Sequence, residues 1–343
     1  MFNSALSRAA AKAPTGLFQQ TSLNAQTRMY MGAAGRYRNS RCGKKALILG
    51  LAVAGGAYYY YNRKNEKNRV ACEGIEPNIK SPEKALSLMG WTTLTLRETQ
   101  DMGENAKLFR FNLPKEDQVS GHTTSSFIMT SVVKPGTEKN WWPTYFYRPY
   151  TPVSAEGDVG HIDIVVKKYK DGNSSKSIHS LKPGDKLDVM GPLKTFKYQE
   201  NSYKSIGMIA AGSGITPMFQ LLHKILDNSE DKTKVNLLYC NRTEDDILLR
   251  KELENMAAKN PERLQITYCL TQPPLNWEQE SGRVSLDMVK KHMPEPSSAT
   301  KIFVCGPEGM VSTLTSCGCW WFFKRKDGIL EELGYDGKSV CSL

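Results

Sequence analysis

AAGSGITPM, residues 210–218, decides how the second half of the chain is read. Gly212, Ser213 and Gly214 begin a Gly-x-Gly turn of the kind that holds nucleotides. Pro217, however, stands where a dinucleotide-binding fingerprint would place a third glycine. The stretch is therefore a degraded fingerprint, a plain strand-to-helix turn, or another way of holding a nucleotide. Its surroundings narrow the choice. SIGMIAAG (205–212) is a continuous apolar run, as expected of a parallel strand buried on both faces. FQLLHKILDN (219–228) then has helical spacing, and Pro217 suits the first turn of that helix, where an N–H is not missed.

Working outward, strands and helices alternate to the end of the chain. KVNLLYC (234–240), LQITYCL (264–270) and KIFVC (301–305) read as strands. EDDILLRKELENMAAKN (244–260), SLDMVKKHM (285–293) and GILEELG (328–334) read as helices. This alternation predicts an α/β domain over 204–343 with a doubly wound parallel sheet. Upstream the rhythm has period two. WTTLTLRET (91–99), AKLFRFNL (106–113), SSFIMTSVV (125–133), GHIDIVVKKY (160–169) and DKLDVMGP (185–192) are rich in β-formers and separated by Gly, Pro and Asn turns. The pattern predicts a small antiparallel barrel or sandwich over 85–200, with no segment of helical period.

The chain has 343 residues and a formal net charge of +11. Residues 1–65 hold ten basic side chains and no acidic one, so the remainder carries 36 basic against 35 acidic residues. A nearly neutral body argues against a nucleic-acid partner. The basic excess belongs to a leader over 1–45 rich in Ala, Ser, Arg and Gln, the composition of a mitochondrial targeting segment. ALILGLAVAGGAYYYY (46–61) follows, sixteen uncharged residues with Arg41, Lys44 and Lys45 before and Arg63 and Lys64 after. With tyrosines placed for the interface, it is expected to form a single membrane anchor, and 62–84 a tether. Eight scattered cysteines form no Cys-x-x-Cys pair, and Cys317-Gly318-Cys319 has no histidine near it, so no metal site is expected.

RPYTPVS (148–154) follows the aromatic run WWPTYFY (141–147). Alone, it reads either as a proline-stiffened connection between strands or as a ligand-binding segment. In the second case Arg148 offers a planar fork to a diphosphate, Tyr150 a flat face to a ring, and Thr151 a hydroxyl to that ring's edge.

RPYTPVS, VVKKY (165–169), AAGSGITPM (210–218) and VCGPEGM (304–310), in that order and spacing, resemble the cytochrome b5 reductase family of ferredoxin reductase-like flavoproteins. CNRTEDDILLRKEL (240–253) and GILEELGY (328–335) resemble its plant, algal and fungal mitochondrial branch, whose members are membrane-anchored. The resemblance covers roughly 85–343 and implies an FAD-binding barrel followed by a nicotinamide-binding domain. It implies that Arg148, Pro149, Tyr150 and Thr151 hold the FAD diphosphate and flavin, with Val165, Lys167 and Tyr169 lining the cofactor. The family's phosphate turn falls on Asp171–Ser175. Gly172 and Ser175 fit its pattern, while Asp171 and Ser174 depart from it, with Ser174 still placed to cradle phosphate. In the second domain, Gly212, Gly214 and Pro217, with Cys305, Gly306 and Pro307, would meet the nicotinamide nucleotide, and Thr216 would reach toward the flavin. Thr151 and Cys305 would lie nearest the reaction.

The implied activity passes a hydride from NADH to FAD and then single electrons to a haem protein such as cytochrome b5. Lys167, Lys168, Lys170 and Lys176 are candidates for meeting that partner's acidic face. Three departures qualify the resemblance. Thr271 replaces an acid that many members carry after LQITYCL, which leaves NADPH possible. TSCGCWWFFKRKD (315–327) replaces a polar stretch, and the chain ends Val340-Cys341-Ser342-Leu343 where members tend to end in phenylalanine. The alternatives are an NADPH-accepting flavoprotein reductase with another acceptor, and a membrane-tethered interaction protein with weak catalysis.

Overall fold

In the computed structural model, residues 81–134, 137, 141, 144–315 and 327–343 are described. The expected targeting segment and anchor (1–61), nearly all of the tether and nearly all of 315–327 lie outside them. Among the described residues, no helix is long and apolar enough to cross a membrane.

The first sheet contains β1 (Thr92–Asp101), β2 (Ala106–Asn112), β3 (Ser126–Val133), β4 (Tyr145–Tyr150), β5 (His161–Lys167) and β6 (Lys186–Lys194). Its order is β4-β3-β6-β1-β2-β5, with every pairing antiparallel. Alternation explains its strands: along β3 every second residue is buried, so one face meets the core and the other is wetter. The two edges then meet. Pro152, just past β4, bridges Ile164 of β5, and the Val153 N–H donates to Asp163 O at 2.9 Å. The sheet thus closes into a barrel around Leu94, Leu96, Phe109, Phe111, Ile162, Ile164 and Val189. The Glu83 carbonyl accepts from the Val119 N–H at 3.0 Å.

Two elements here differ from expectation. Tyr145–Tyr150 is a strand, unrecognised in the sequence because it is an edge with mostly exposed side chains and an internal proline. Asn173–His179 is a short helix, α1, where none was expected. Its sequence NSSKSIH carries a single large apolar side chain, Ile178, so helical periodicity has nothing to show itself in.

The second sheet has order β10-β9-β8-β7-β11-β12 and is parallel throughout. Its strands are β7 (Ser205–Ala211), β8 (Lys234–Asn241), β9 (Leu264–Leu270), β10 (Glu280–Ser281), β11 (Thr300–Cys305) and β12 (Val340–Ser342). Ile206, Met208 and Ala210 of β7 enter one core cluster and Ile209 enters another, on the opposite face. Both faces are covered, which is why β7 reads as continuously apolar. Helix α2 (Ile215–Leu226) is covered nearly all round: Ile215 to Leu222, Ile225 and Leu226 are buried, and only His223 and Lys224 are exposed.

The helix expected over 244–260 is shorter. A single turn at Glu244–Asp246, closed by a Thr243/Asp246 capping box, leads into Ile247-Leu248-Leu249, and helix α3 spans Arg250–Lys259. All three apolar residues are buried. The chain leaves helical geometry there, with Leu249 at φ +57°. Helices α4 (Leu286–His292) and α6 (Ile329–Glu332) fall where expected, whereas α5 (Glu308–Leu314) and the strands β10 and β12 were not foreseen.

Candidate functional site

Strand order reverses between β7 and β11, and loops leaving the carboxyl ends of such neighbours diverge to open a crevice. The loop after β7 is Gly212–Gly214, and the one after β11 begins Gly306-Pro307. They face the barrel segment around Arg148–Thr151 across a cleft of about 1220 Å³. Every site residue anticipated from the sequence lines this cleft. Arg148, Pro149, Tyr150 and Thr151 come from β4 and its exit, Val165, Lys167 and Tyr169 from β5 and its exit. Gly172, Ser174 and Ser175 come from the turn into α1. Gly212, Gly214, Thr216 and Pro217 form one wall of the parallel-sheet side, Cys305, Gly306 and Pro307 the other.

The two glycines of the opening motif do different work. Gly212 has φ +54° and open space beside it, so its backbone is bare toward the cleft. Gly214 instead presses on the neighbouring loop, since a Cβ there would land on the Cys305 carbonyl and lie 2.9 Å from the Gly306 nitrogen. Tyr239, fully buried on β8, donates to Gly212 O at 3.0 Å and holds the turn from behind. Thr216 is buried, and its hydroxyl donates to Ser213 O at 3.1 Å, which fastens the turn to the start of α2.

On the barrel side, Arg148 is exposed and its Nη1 donates to Tyr147 O at 2.8 Å, which leaves the rest of the guanidinium available. Burial pushes the Tyr150 phenol above its ordinary pKa, so it stays neutral. Ser175 is used locally: its hydroxyl donates to Gly172 O at 3.0 Å and accepts from the Tyr169 N–H at 3.2 Å. Gly172 lies so close to that hydroxyl that a Cβ would come within 2.5 Å of it. Cys305 is largely buried, which raises its thiol to about 11 and keeps it protonated near neutrality, and Sγ donates to Leu343 O at 3.2 Å. Leu343 also lines the cleft, brought there by β12 pairing beside β11.

Several side-chain contacts cross between the barrel and the α/β domain, and sequence reading anticipated none of those that follow. Lys167 Nζ lies 2.6 Å from Asp246 Oδ1, with both side chains about four-fifths buried (19% and 18% exposed). Burial opposes ionisation of Asp246, but the hydrogen bond from Lys167, that lysine's charge and Thr243 outweigh it and lower its pKa. Lys167 is therefore committed to this pair, and only Lys168, Lys170 and Lys176 of the anticipated basic group are exposed. The Tyr169 hydroxyl lies 3.1 Å from Ser213 Oγ. Gln220, buried on α2, donates from Nε2 to Pro152 O at 2.9 Å and accepts the Ser126 N–H at 3.3 Å. A glutamine inside the apolar run MFQLL was the visible signal for this role.

Gln220→Leu is expected to cost about 1–3 kcal/mol, because it strands a buried carbonyl and a buried N–H. Thermal unfolding of the two proteins checks this, and unchanged stability would show that the clamp carries no weight.

The cleft suits anionic ligands that need hydrogen bonds. Among the described residues its lining has four cationic side chains, Arg148, Lys167, Arg242 and Arg283, against one acidic side chain, Asp171. Ser125 Oγ is buried along the same lining without a hydrogen-bond partner among the described residues. Such orphaned groups are costly unless a ligand satisfies them. The residues present thus fit a flavin dinucleotide on the barrel side and a nicotinamide dinucleotide on the other.

Comparison with known proteins agrees with this geometry. Residues 93–198 match the oxidoreductase FAD-binding domain family, and residues 208–315 the oxidoreductase NAD-binding domain family. NADH-cytochrome b5 reductase 2 of Coccidioides immitis is 40% identical over 300 residues, 85% of this chain and 88% of that protein. An NADH-cytochrome b5 reductase-like protein of Arabidopsis thaliana is 38% identical over 291 residues, 84% of this chain and 88% of that protein. Among solved structures, the cytochrome b5 reductase domain of Ulva prolifera nitrate reductase superposes with a TM-score of 0.67 at 31% identity. That match covers 76% of this chain and 99% of that one.

Proposed function

This chain belongs to the cytochrome b5 reductase family, and from that premise we propose how its own residues serve the reaction. It is an FAD-dependent oxidoreductase that uses NADH and delivers electrons to cytochrome b5. When bound, FAD accepts a hydride from NADH and releases the electrons one at a time, which is the chemistry the side chains lack.

The observation that carries the assignment is one cleft walled by Arg148–Thr151 on the barrel and by the two switch-point loops on the parallel sheet. Arg148 binds the FAD diphosphate with a guanidinium suited to paired phosphate oxygens. Tyr150 stacks on the flavin, and Thr151 presents its hydroxyl at the ring edge. Val165 and Tyr169 line the cofactor, and the Gly172–Ser175 turn brings backbone N–H groups to phosphate. Gly212 leaves room for the nicotinamide nucleotide, with Cys305-Gly306-Pro307 forming the opposing wall. The Lys167–Asp246 pair and Gln220 fix the two walls, so the reacting rings are positioned without paying for domain closure. Lys168, Lys170 and Lys176 offer an exposed basic face for an acidic haem protein. Residues 46–61 anchor the protein to a mitochondrial membrane, with 1–45 as its address; loss of membrane association on deleting 46–61 is the expected result, and persistence would contradict it.

The full-length protein is expected to purify yellow, with flavin absorbance bands, and to reduce cytochrome b5 with NADH. A colourless protein that cannot be reconstituted with FAD would overturn the proposal. Cys305→Ala is expected to slow reduction of the flavin by NADH about tenfold through lost positioning, while the FAD content stays unchanged. Stopped-flow absorbance measures both, and loss of FAD instead would show Cys305 to be structural.

A further inference from the structure

The nucleotide wall continues outward from the switch point along β8, β9 and β10. Asn241 pairs with Leu270, and Leu270 with Ser281. The next row along the carboxyl edge is therefore Arg242, Thr271 and Gly282, with Arg283 one residue further on. Adjacent strands lie about 4.8 Å apart, so Arg242 and Gly282 stand about 10 Å apart with Thr271 between them. Arg242, Thr271, Gly282 and Arg283 all line the cleft.

Local contacts hold this row ready. The Thr271 N–H donates to Asn241 O at 3.1 Å, the Gln272 N–H to Arg242 O at 2.8 Å, and the Gly282 N–H to Leu270 O at 2.8 Å. Arg242 Nε donates to Gln272 Oε1 at 3.0 Å, which orients the guanidinium and leaves both terminal nitrogens without a partner among the described residues. Arg283, turned by Gly282 at φ +98°, makes no ion pair among the described residues. The nearby Glu280 is held by Lys291 at 2.8 Å and His292 at 2.7 Å, and Asp171, the one acidic side chain lining the cleft among the described residues, belongs to the barrel. The buried Asn241 lines the same stretch.

In open α/β nucleotide sites, an acid near the end of the second strand accepts from the adenosine ribose 2′-OH and repels a 2′-phosphate, whereas an arginine there accommodates it. The second strand of this domain, β8, ends at Asn241 and is followed by Arg242, and β9 is followed by Thr271. We propose that Arg242 and Arg283 bracket the 2′-phosphate of NADPH, so that the chain accepts NADPH as well as NADH as hydride donor. The proposal rests on the reductase reading for where the nucleotide lies. Paired guanidinium forks suit a phosphate monoester, which offers several acceptor oxygens and nearly two charges.

The test titrates the FAD-loaded, full-length protein with 2′,5′-ADP and with 5′-ADP by calorimetry. The expected result is that 2′,5′-ADP binds at least about tenfold more tightly, the equivalent of 1.4 kcal/mol, with the preference shrinking as salt rises. Arg242→Ala or Arg283→Ala should remove most of that preference and the double variant all of it, while Thr271→Asp should reverse it. Equal binding of the two ligands by the unaltered protein, or a preference that the double variant keeps, would overturn the proposal. Mixing the same preparation with NADH separates the two readings. A flavin that NADH leaves oxidised, beside a retained 2′,5′-ADP preference, fails the reductase reading and not the phosphate site. A flavin that NADH reduces, beside equal ADP binding, fails the phosphate site alone.

Discussion

Gly214→Ala is expected to lower stability by about 1–3 kcal/mol, the usual cost of forcing a methyl group into a filled space. The backbone at Gly214, φ −64° and ψ −4°, suits alanine, so the penalty is purely steric. The new methyl would land on the Cys305 carbonyl and beside the Gly306 nitrogen, which are backbone atoms that cannot rotate away. Relief requires the loops after β7 and β11 to part, and these two loops wall the nicotinamide side of the cleft. A raised KM for NADH should therefore accompany a melting temperature lower by about 2–4 °C per kcal/mol. Gly157→Ala, where a Cβ would meet nothing within 4 Å, is the control and should stay within about 0.5 kcal/mol. Equal behaviour of the two variants would show that the loops are not in contact.

Arg148→Ala is expected to produce a stable protein that loses its flavin. Arg148 is exposed and its recorded side-chain bond is to the carbonyl of its own neighbour, so folding gains little from it. A hydrogen bond to a charged group contributes about 1.5–3 kcal/mol, which corresponds to FAD held about 10- to 150-fold more weakly. Lysine keeps the charge but not the fork and should restore binding only in part. The flavin-to-protein ratio after gel filtration measures the effect, and full FAD occupancy in Arg148→Ala would remove this residue from the diphosphate site.

The sequence carried the two-domain order clearly because each half imposes its own burial rhythm. Alternation in SFIMTSVV reflects a strand with one buried face, and the unbroken run IGMIAA reflects a strand covered on both. Motifs at strand ends were legible for the same reason: RPYT follows an aromatic edge, and GSG and CGP follow apolar runs. Elements with weak rhythm were not legible. Tyr145–Tyr150 exposes most of its residues, Asn173–His179 has one large apolar side chain, and β10 has only two residues. Nor could spacing reveal partners. Lys167 and Asp246 are 79 residues apart and Gln220 and Pro152 are 68 apart, so their pairing exists only once both domains are folded. The reading of Gly214 shifted most. Besides lining the cleft it makes room for the neighbouring loop, and through that contact it shapes the wall of the cleft.

The central claim is that barrel and parallel sheet present two bound nucleotides to each other across one cleft. Rapid anaerobic mixing of the purified, flavin-loaded chain with excess NADH tests it most directly. The expected result is loss of the oxidised flavin absorbance in a single turnover, fast enough to account for steady-state reduction of cytochrome b5. Flavin that stays oxidised in saturating NADH, in protein that holds FAD fully, would contradict the account.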